Sequence, residues 1–193
     1  MSEKQTKIFY PSSQVDWRKW LQKNHSTEKA VWLVFYNKSS AKTSISWSEA
    51  VDEALCFGWI DSKKIKIDEE TSHQFFSKRK PKSTWSKINK EKVRQLIKDR
   101  LMTDAGLDII EKAKQNGSWT ILDEVEELVL PKDLETEFRN KPKAKDFFLR
   151  LSKSAKKAIL QWLVLARTTE TRQKRIAETV ESAEQNQKPK HLR

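Results

Sequence analysis

Cys56-Phe57-Gly58-Trp59-Ile60-Asp61 is the stretch where a helix gives way to a strand, and the fold follows from how it is read. Upstream, Ser46-Trp47-Ser48-Glu49 has the spacing of a capping box, in which the serine hydroxyl and the glutamate carboxylate satisfy each other's backbone amides. The helix that opens there is expected to run to about Phe57, burying Ala50, Val51, Ala54 and Leu55. Gly58 is one of only three glycines in the chain; between two bulky aromatics it marks a turn that needs positive φ or a close backbone approach. Beyond it, Trp59 to Ile67 alternates in part between apolar and polar residues and reads as a strand. Asp68-Glu69-Glu70 then turns the chain, and 72–79, with Phe75 and Phe76, returns as a second strand.

Working outward, residues 1–13 read as an extended lead-in, after which Ser12 or Ser13 caps a helix over 14–24 with Val15, Trp17, Trp20 and Leu21 as its apolar side. The β-branched and aromatic run 30–37 predicts a central strand, and 38–44 a polar loop. From Thr84 the periodicity becomes helical. Trp85, Ile88, Val93, Leu96, Ile97 and Leu101 mark a helix ending near Arg100; Thr103 caps another with Leu107, Ile109, Ile110 and Ala113 inward, stopped by Asn116-Gly117. After a connecting stretch to Leu130, helices are expected over 131–140, 142–150, 153–166 and 169–185. Strands first and helices afterwards imply an α+β fold: a two-layer N-terminal domain with a small antiparallel sheet, then an all-helical C-terminal module. The expected divisions are a sheet domain over 1–83, a helical extension packed on it over 84–130, the helical module over 131–187 and a tail over 188–193.

A chain of 193 residues can bury a core without staples, and its eight tryptophans are the expected anchors. One cysteine permits no internal disulfide, and the polar start Met1 to Lys7 has no apolar signal region, so the expected location is the cytoplasm. No run approaches a membrane span. The net charge is +12, and residues 78–100 alone carry ten cations against two acids, about two thirds of it. Such a concentration points to an anionic partner, a small molecule or nucleic acid, beside the plainer reading of a solvated helix face.

The catalytic inventory is thin. His25, His73 and His191 are far apart, and no Cys or His spacing suits a transition metal. Cys56 at a helix end reads as a small buried hydrophobe, and three isolated glycines make no phosphate loop. Glu49, Asp52 and Glu53 read as partners of the helix dipole. No catalytic residue, metal ligand or cofactor is therefore assigned. Asp61 is unusual because aspartate is disfavoured in strands. It either pairs with Arg79 or Lys80 on the neighbouring strand, or joins Trp59, Arg79 and Asn89 in a polar pocket. The basic and aromatic segment 79–89 suits phosphate groups or a stacked base. The candidate ligand-binding set is Trp59, Asp61, Arg79, Lys80, Lys82, Trp85 and Asn89. Farther on, Ala155, Ile159, Trp162, Leu163 and Ala166 share one helix face, which suits packing into a bundle.

Together, Glu53 to Asp61, Arg79 to Asn89, Met102-Thr103-Asp104-Ala105-Gly106, and Ala166-Arg167 to Arg175-Ile176 resemble the YdeI/OmpD-associated proteins, the bacteriocin-protection family, over nearly the whole chain. The resemblance implies a C-terminal all-helical module, an N-terminal domain similar to YdhG-like and frataxin-like folds, and a role in protection against bacteriocins. It brings no catalytic residues. The resulting expectation is a non-enzymatic cytoplasmic protein of stress or bacteriocin protection that binds an anionic ligand at the sheet–helix junction. The alternative is a nucleic-acid-binding protein using the basic helix 84–100.

Overall fold

The computed structural model describes residues 6–192; the first five residues of the expected lead-in, and Arg193 of the expected tail, lie outside them. The chain forms two compact units, Met1–Trp119 and Thr120–Arg193. Residues 120–130, grouped with the preceding helices on sequence, place Leu122 and Val125 in the core of the second unit.

The first unit holds a four-stranded sheet in the order β1-β2-β4-β3: β1 Lys7–Phe9, β2 Ala30–Tyr36, β3 Trp59–Lys66 and β4 Thr71–Lys78. β2 is internal, as expected. The sheet is mixed rather than purely antiparallel, because β1, unread in the sequence, pairs parallel with β2, with Ile8 opposite Trp32. Helix α1, Gln14–Asn24, lies between β1 and β2 in the chain and makes the crossover a parallel pair requires. Ser13 caps it, accepting from Asp16 N. α2, Trp47–Cys56, has both halves of the capping box, and Gly58 (φ 70°) ends the helical segment in the left-handed region. α3, Lys87–Lys98, and α4, Asp104–Gln115, complete the unit.

Alternation along the paired strands sends Val31, Leu33, Phe35, Trp59 and Phe76 into a core shared with Trp17, Leu21, Leu55 and Trp85. The opposite face carries Ile8, Trp32, His73 and Phe75, with the Lys63 ammonium 5.2 Å from the Trp32 ring and 5.6 Å from the Phe75 ring. Not every tryptophan anchors the core: Trp17, Trp59 and Trp85 are fully buried, whereas Trp47 is 52% exposed. On α3, Ile88 and Ile97 face outward together with Leu101 beyond the helix, and on α4 so does Leu107. Val93, Leu96, Ile110 and Ala113 point inward instead. The apolar stripe is narrower than composition suggests because Lys90 and Gly106 take inward positions.

The second unit is helical throughout: α5 Asp123–Glu126, α6 Lys132–Asn140, α7 Pro142–Arg150, α8 Lys153–Val164 and α9 Thr169–Glu184. Its core is built on Leu134, Phe138, Phe148, Leu160 and Leu163. Pro142 opens α7, where a missing N–H costs nothing, while Pro131 sits just before α6. The expected frayed tail ends instead in a 3-10 turn, Lys190–Leu192, with His191 4.0 Å from Trp162, ring centre to ring centre. No helix among the described residues is long and apolar enough to cross a membrane.

Candidate functional site

The turn at Gly58 joins α2 to β3, and its carbonyl accepts the backbone N–H of Arg79 at 2.9 Å. That bond extends the β3–β4 pairing by one step beyond Trp59 and Lys78, and it starts the basic segment on the sheet. The segment is then pinned at several points. Arg79 Nη2 donates to Thr84 O at 2.7 Å, Ser83 N to Lys80 O at 2.9 Å, and Pro81 O accepts from Asn116 Nδ2 at 2.9 Å and Ser118 Oγ at 3.2 Å. Ser86 caps α3 by accepting from Asn89 N.

These contacts hold Arg79 against Trp85, with the guanidinium carbon 3.6 Å from the ring centre. Trp85 in turn meets Trp119 at 4.9 Å, and the Lys90 ammonium stands 5.4 Å from the Trp119 ring. Two cations thus flank a pair of indoles, an arrangement in which each gains cation–π attraction. Both are buried, Arg79 at 5% exposure and Lys90 at 4%. Arg79 Nε and Nη1, and the indole Nε1 of Trp59, are buried without a hydrogen-bond partner among the described residues. Desolvation pushes the Arg79 guanidinium down to a pKa of about 10, against a smaller opposing pull from the Asp61 charge.

Asp61 does not close on that arginine. Its Oδ2 accepts from Trp47 Nε1 at 2.9 Å and from Gln74 Nε2 at 3.3 Å, and no ion pair links it to Arg79 or Lys80 among the described residues. The structure therefore brings together Arg79, Thr84 and Trp85, with Trp59 adjoining through the Gly58 turn. It leaves Lys80 and Lys82 exposed on the pinned loop and Asn89 half-buried in the first turn of α3. Sequence reasoning missed Trp47 and Gln74 as partners of Asp61, and Trp119 and Lys90 as the continuation of the stack. The one available signal was Gln74, a polar residue at a core-facing strand position.

The acidic residues of α2 have different work from that expected. Glu49 does serve the cap, and its carboxyl sits below the usual range because of the Ser46 hydroxyl and amide. Glu53 is buried and bonded to Arg18 at 2.7 Å and Gln14 at 2.8 Å, while Asp52 takes Lys92 at 2.6 Å. They tie α1 and α3 to α2 rather than serving the helix dipole. Cys56 is buried, and burial followed by the Glu53 charge pushes its thiol up to about 11, which leaves it protonated and unreactive. No group of three or more His, Cys, Asp or Glu side chains suited to a metal occurs among the described residues.

No curated protein and no solved structure matches the chain. A family described as "Bacteriocin-protection, YdeI or OmpD-Associated" matches residues 127–186, within the helical second unit; of the stretches that carried the resemblance in the sequence, only Ala166-Arg167 to Arg175-Ile176 lies inside that match. A second family matches residues 9–109, just over half of the chain, spanning the sheet, the Gly58 turn and the stacked Arg79. The chain therefore belongs to the family described as "Domain of unknown function (DUF8412)", and its residues 127–186 are similar to the YdeI/OmpD-associated family.

Proposed function

We propose that the protein is a non-enzymatic, cytoplasmic protein of the bacteriocin-protection type that binds an anionic ligand at the sheet–helix junction. One observation carries the reading: a guanidinium buried to 5% exposure keeps two donor nitrogens unmatched, and no carboxylate among the described residues bonds to it. Buried donors are almost always satisfied, and a buried charge without a counter-ion costs several kcal/mol unless something answers it. An oxyanion supplies both the acceptors and the charge. In this reading Arg79 is the main contact, Trp85 holds it in place, and Trp59 offers its indole N–H. Lys80 and Lys82 draw the anion in from the exposed loop, and Asp61 and Asn89 are the orienting polar groups.

The test is thermal unfolding with increasing inorganic phosphate, sulfate or nucleoside monophosphate at constant ionic strength. A ligand that binds only the folded state raises the midpoint. At least one anion is expected to raise it for the natural chain and not for Arg79→Met. Equal shifts in both, or none in either, overturn the reading.

A second reading, nucleic-acid binding along α3, rests on Arg94, Lys98 and Arg100, which remain exposed. It has fewer cations to use than the charge count suggests, because Arg79 lies on Trp85, Lys90 is over Trp119 and Lys92 is paired with Asp52. Binding to mixed DNA or RNA that weakens steeply with salt, and is lost in Arg94→Glu with Lys98→Glu, is its signature. Binding that ignores salt or those substitutions sinks it.

A further inference from the structure

Arg172 and Arg175 lie three residues apart on α9, and both donate to the last carbonyls of α8. Arg172 Nη1 reaches Leu163 O at 3.1 Å, and Arg175 Nη1 reaches Trp162 O. Trp162 O is among the last carbonyls of α8, which a helix end leaves short of amide partners, whereas Leu163 O also accepts from Ala166 N at 3.2 Å. The two arginines differ in what meets the rest of the guanidinium. Arg172 is met by Asp133, through Nε at 2.5 Å and Nη2 at 2.9 Å, a two-point carboxylate contact.

Arg175 has no carboxylate partner among the described residues. Its guanidinium carbon stands 5.0 Å from the centre of the Trp162 ring, and the side chain lines a cleft of about 750 Å³. Arg167, Thr171, Gln161 and His191 supply the other polar walls, and among the described residues no aspartate or glutamate lines the cleft. Two arginines and a histidine thus share one concave surface with no neutralising acid. The arginine one turn back on the same helix shows what a guanidinium in this setting takes as its partner.

We propose that this cleft binds the oxyanion group, carboxylate or phosphate, of a small ligand, with Arg175 as the two-point contact and Arg167 as the second cation. The carbonyl of Trp162 and its ring already hold Arg175, so little side-chain freedom is lost when an oxyanion arrives. Thr171 and Gln161 add neutral donors, and His191, tilted against the Trp162 ring, adds a ring nitrogen. The site lies wholly within the second unit and stands or falls independently of the Arg79 reading.

The test is a titration of the full chain with inorganic phosphate and, separately, with citrate at low ionic strength, followed by proton–nitrogen correlation spectra. Saturable shifts are expected at the Trp162 indole and the Thr171 and His191 amides. Arg175→Gln and Arg167→Gln should each weaken binding at least tenfold, and Arg79→Met should leave it unchanged. The stronger of the two anions identifies the ligand group as phosphate or carboxylate. Arg167 is exposed, so its substitution leaves the fold intact even if Arg175→Gln loosens the end of α8. Absence of saturable shifts with both anions, or shifts that survive in both arginine variants, overturns the proposal. Changes confined to Trp85 and Trp59 report on the other site and not on this one.

Discussion

The Arg79 guanidinium rests 3.6 Å from the centre of the Trp85 ring and gives a single hydrogen bond, to Thr84 O, on the segment that leads into α3. A buried cation held by an aromatic face and one carbonyl is poorly compensated for the water it has lost. Its stability contribution is therefore small or negative in the absence of an anion.

Arg79→Met tests that directly. An apolar side chain of similar length keeps the packing on Trp85 and removes the uncompensated charge, a change that is often neutral or stabilising. In anion-free buffer the variant is expected to unfold at the same denaturant concentration as the natural chain or above it. A loss of about 2 kcal/mol or more, the range of buried hydrogen-bond deletions, would make the guanidinium structural.

Gly106 is the most closely packed of the three glycines. A Cβ there would stand 2.3 Å from Cys56 O and 2.8 Å from Cys56 C, backbone atoms at the end of α2 that have no room to yield. Gly106→Ala is expected to cost about 3 kcal/mol or more, as severe overpacking does. Gly58→Ala meets Ala105 O at 3.0 Å and must also hold φ at 70°, a strain of roughly 1 to 2 kcal/mol before any contact is counted. Chemical denaturation of the two variants should rank Gly106→Ala as the more damaging; the reverse order would mean that α4 shifts freely away from α2.

Cys56 predicts a pH window. Its thiol is raised from 9.0 to about 11 in the folded chain, so the folded state holds its proton more tightly than the unfolded one. The resulting stabilisation is fully present below about pH 9 and is lost as pH rises through about 11. At neutral pH the thiol should react with iodoacetamide only as fast as the first unit opens. Rapid labelling of the native protein would contradict both the burial and the raised value. A Cys56→Ser control isolates this residue's contribution.

The second unit should fold by itself from Thr120. Leu122 and Val125 are 6% and 4% exposed within its core, so a fragment spanning 120–193 is expected to melt cooperatively by circular dichroism. A fragment beginning at Pro131 loses both side chains and should be less stable by about 2 to 4 kcal/mol, the burial of two aliphatic residues. Equal stability of the two fragments would assign 120–130 to the first unit after all.

Several elements were legible from a few neighbouring residues, for a physical reason. The α2 capping box joins Ser46 to Glu49, the stop at Gly58 is one residue's backbone preference, and the α1 cap joins Ser13 to Asp16. Each bond spans three residues or fewer, so the local sequence contains both partners. β1 escaped notice because three residues make a strand only when β2 is there to receive them. On α3, Ile88 looked inward on spacing alone, yet the stripe is set by where Trp119 stands to receive Lys90.

The candidate site divides in the same way. The sequence by itself determined that a helix would meet a strand at Phe57-Gly58-Trp59, that a dense basic segment would follow the returning strand, and that helices would fill the rest. Only the tertiary structure decided what the charged groups meet: Asp61 with Trp47 and Gln74, Glu53 with Arg18, Asp52 with Lys92, and Arg79 with a ring in place of a carboxylate. Those partners lie up to 40 residues apart along the chain. Hydrogen bonds between neighbours follow from residue type and spacing. Pairings across such distances follow from which faces the core leaves free, and that is settled only when the whole unit packs.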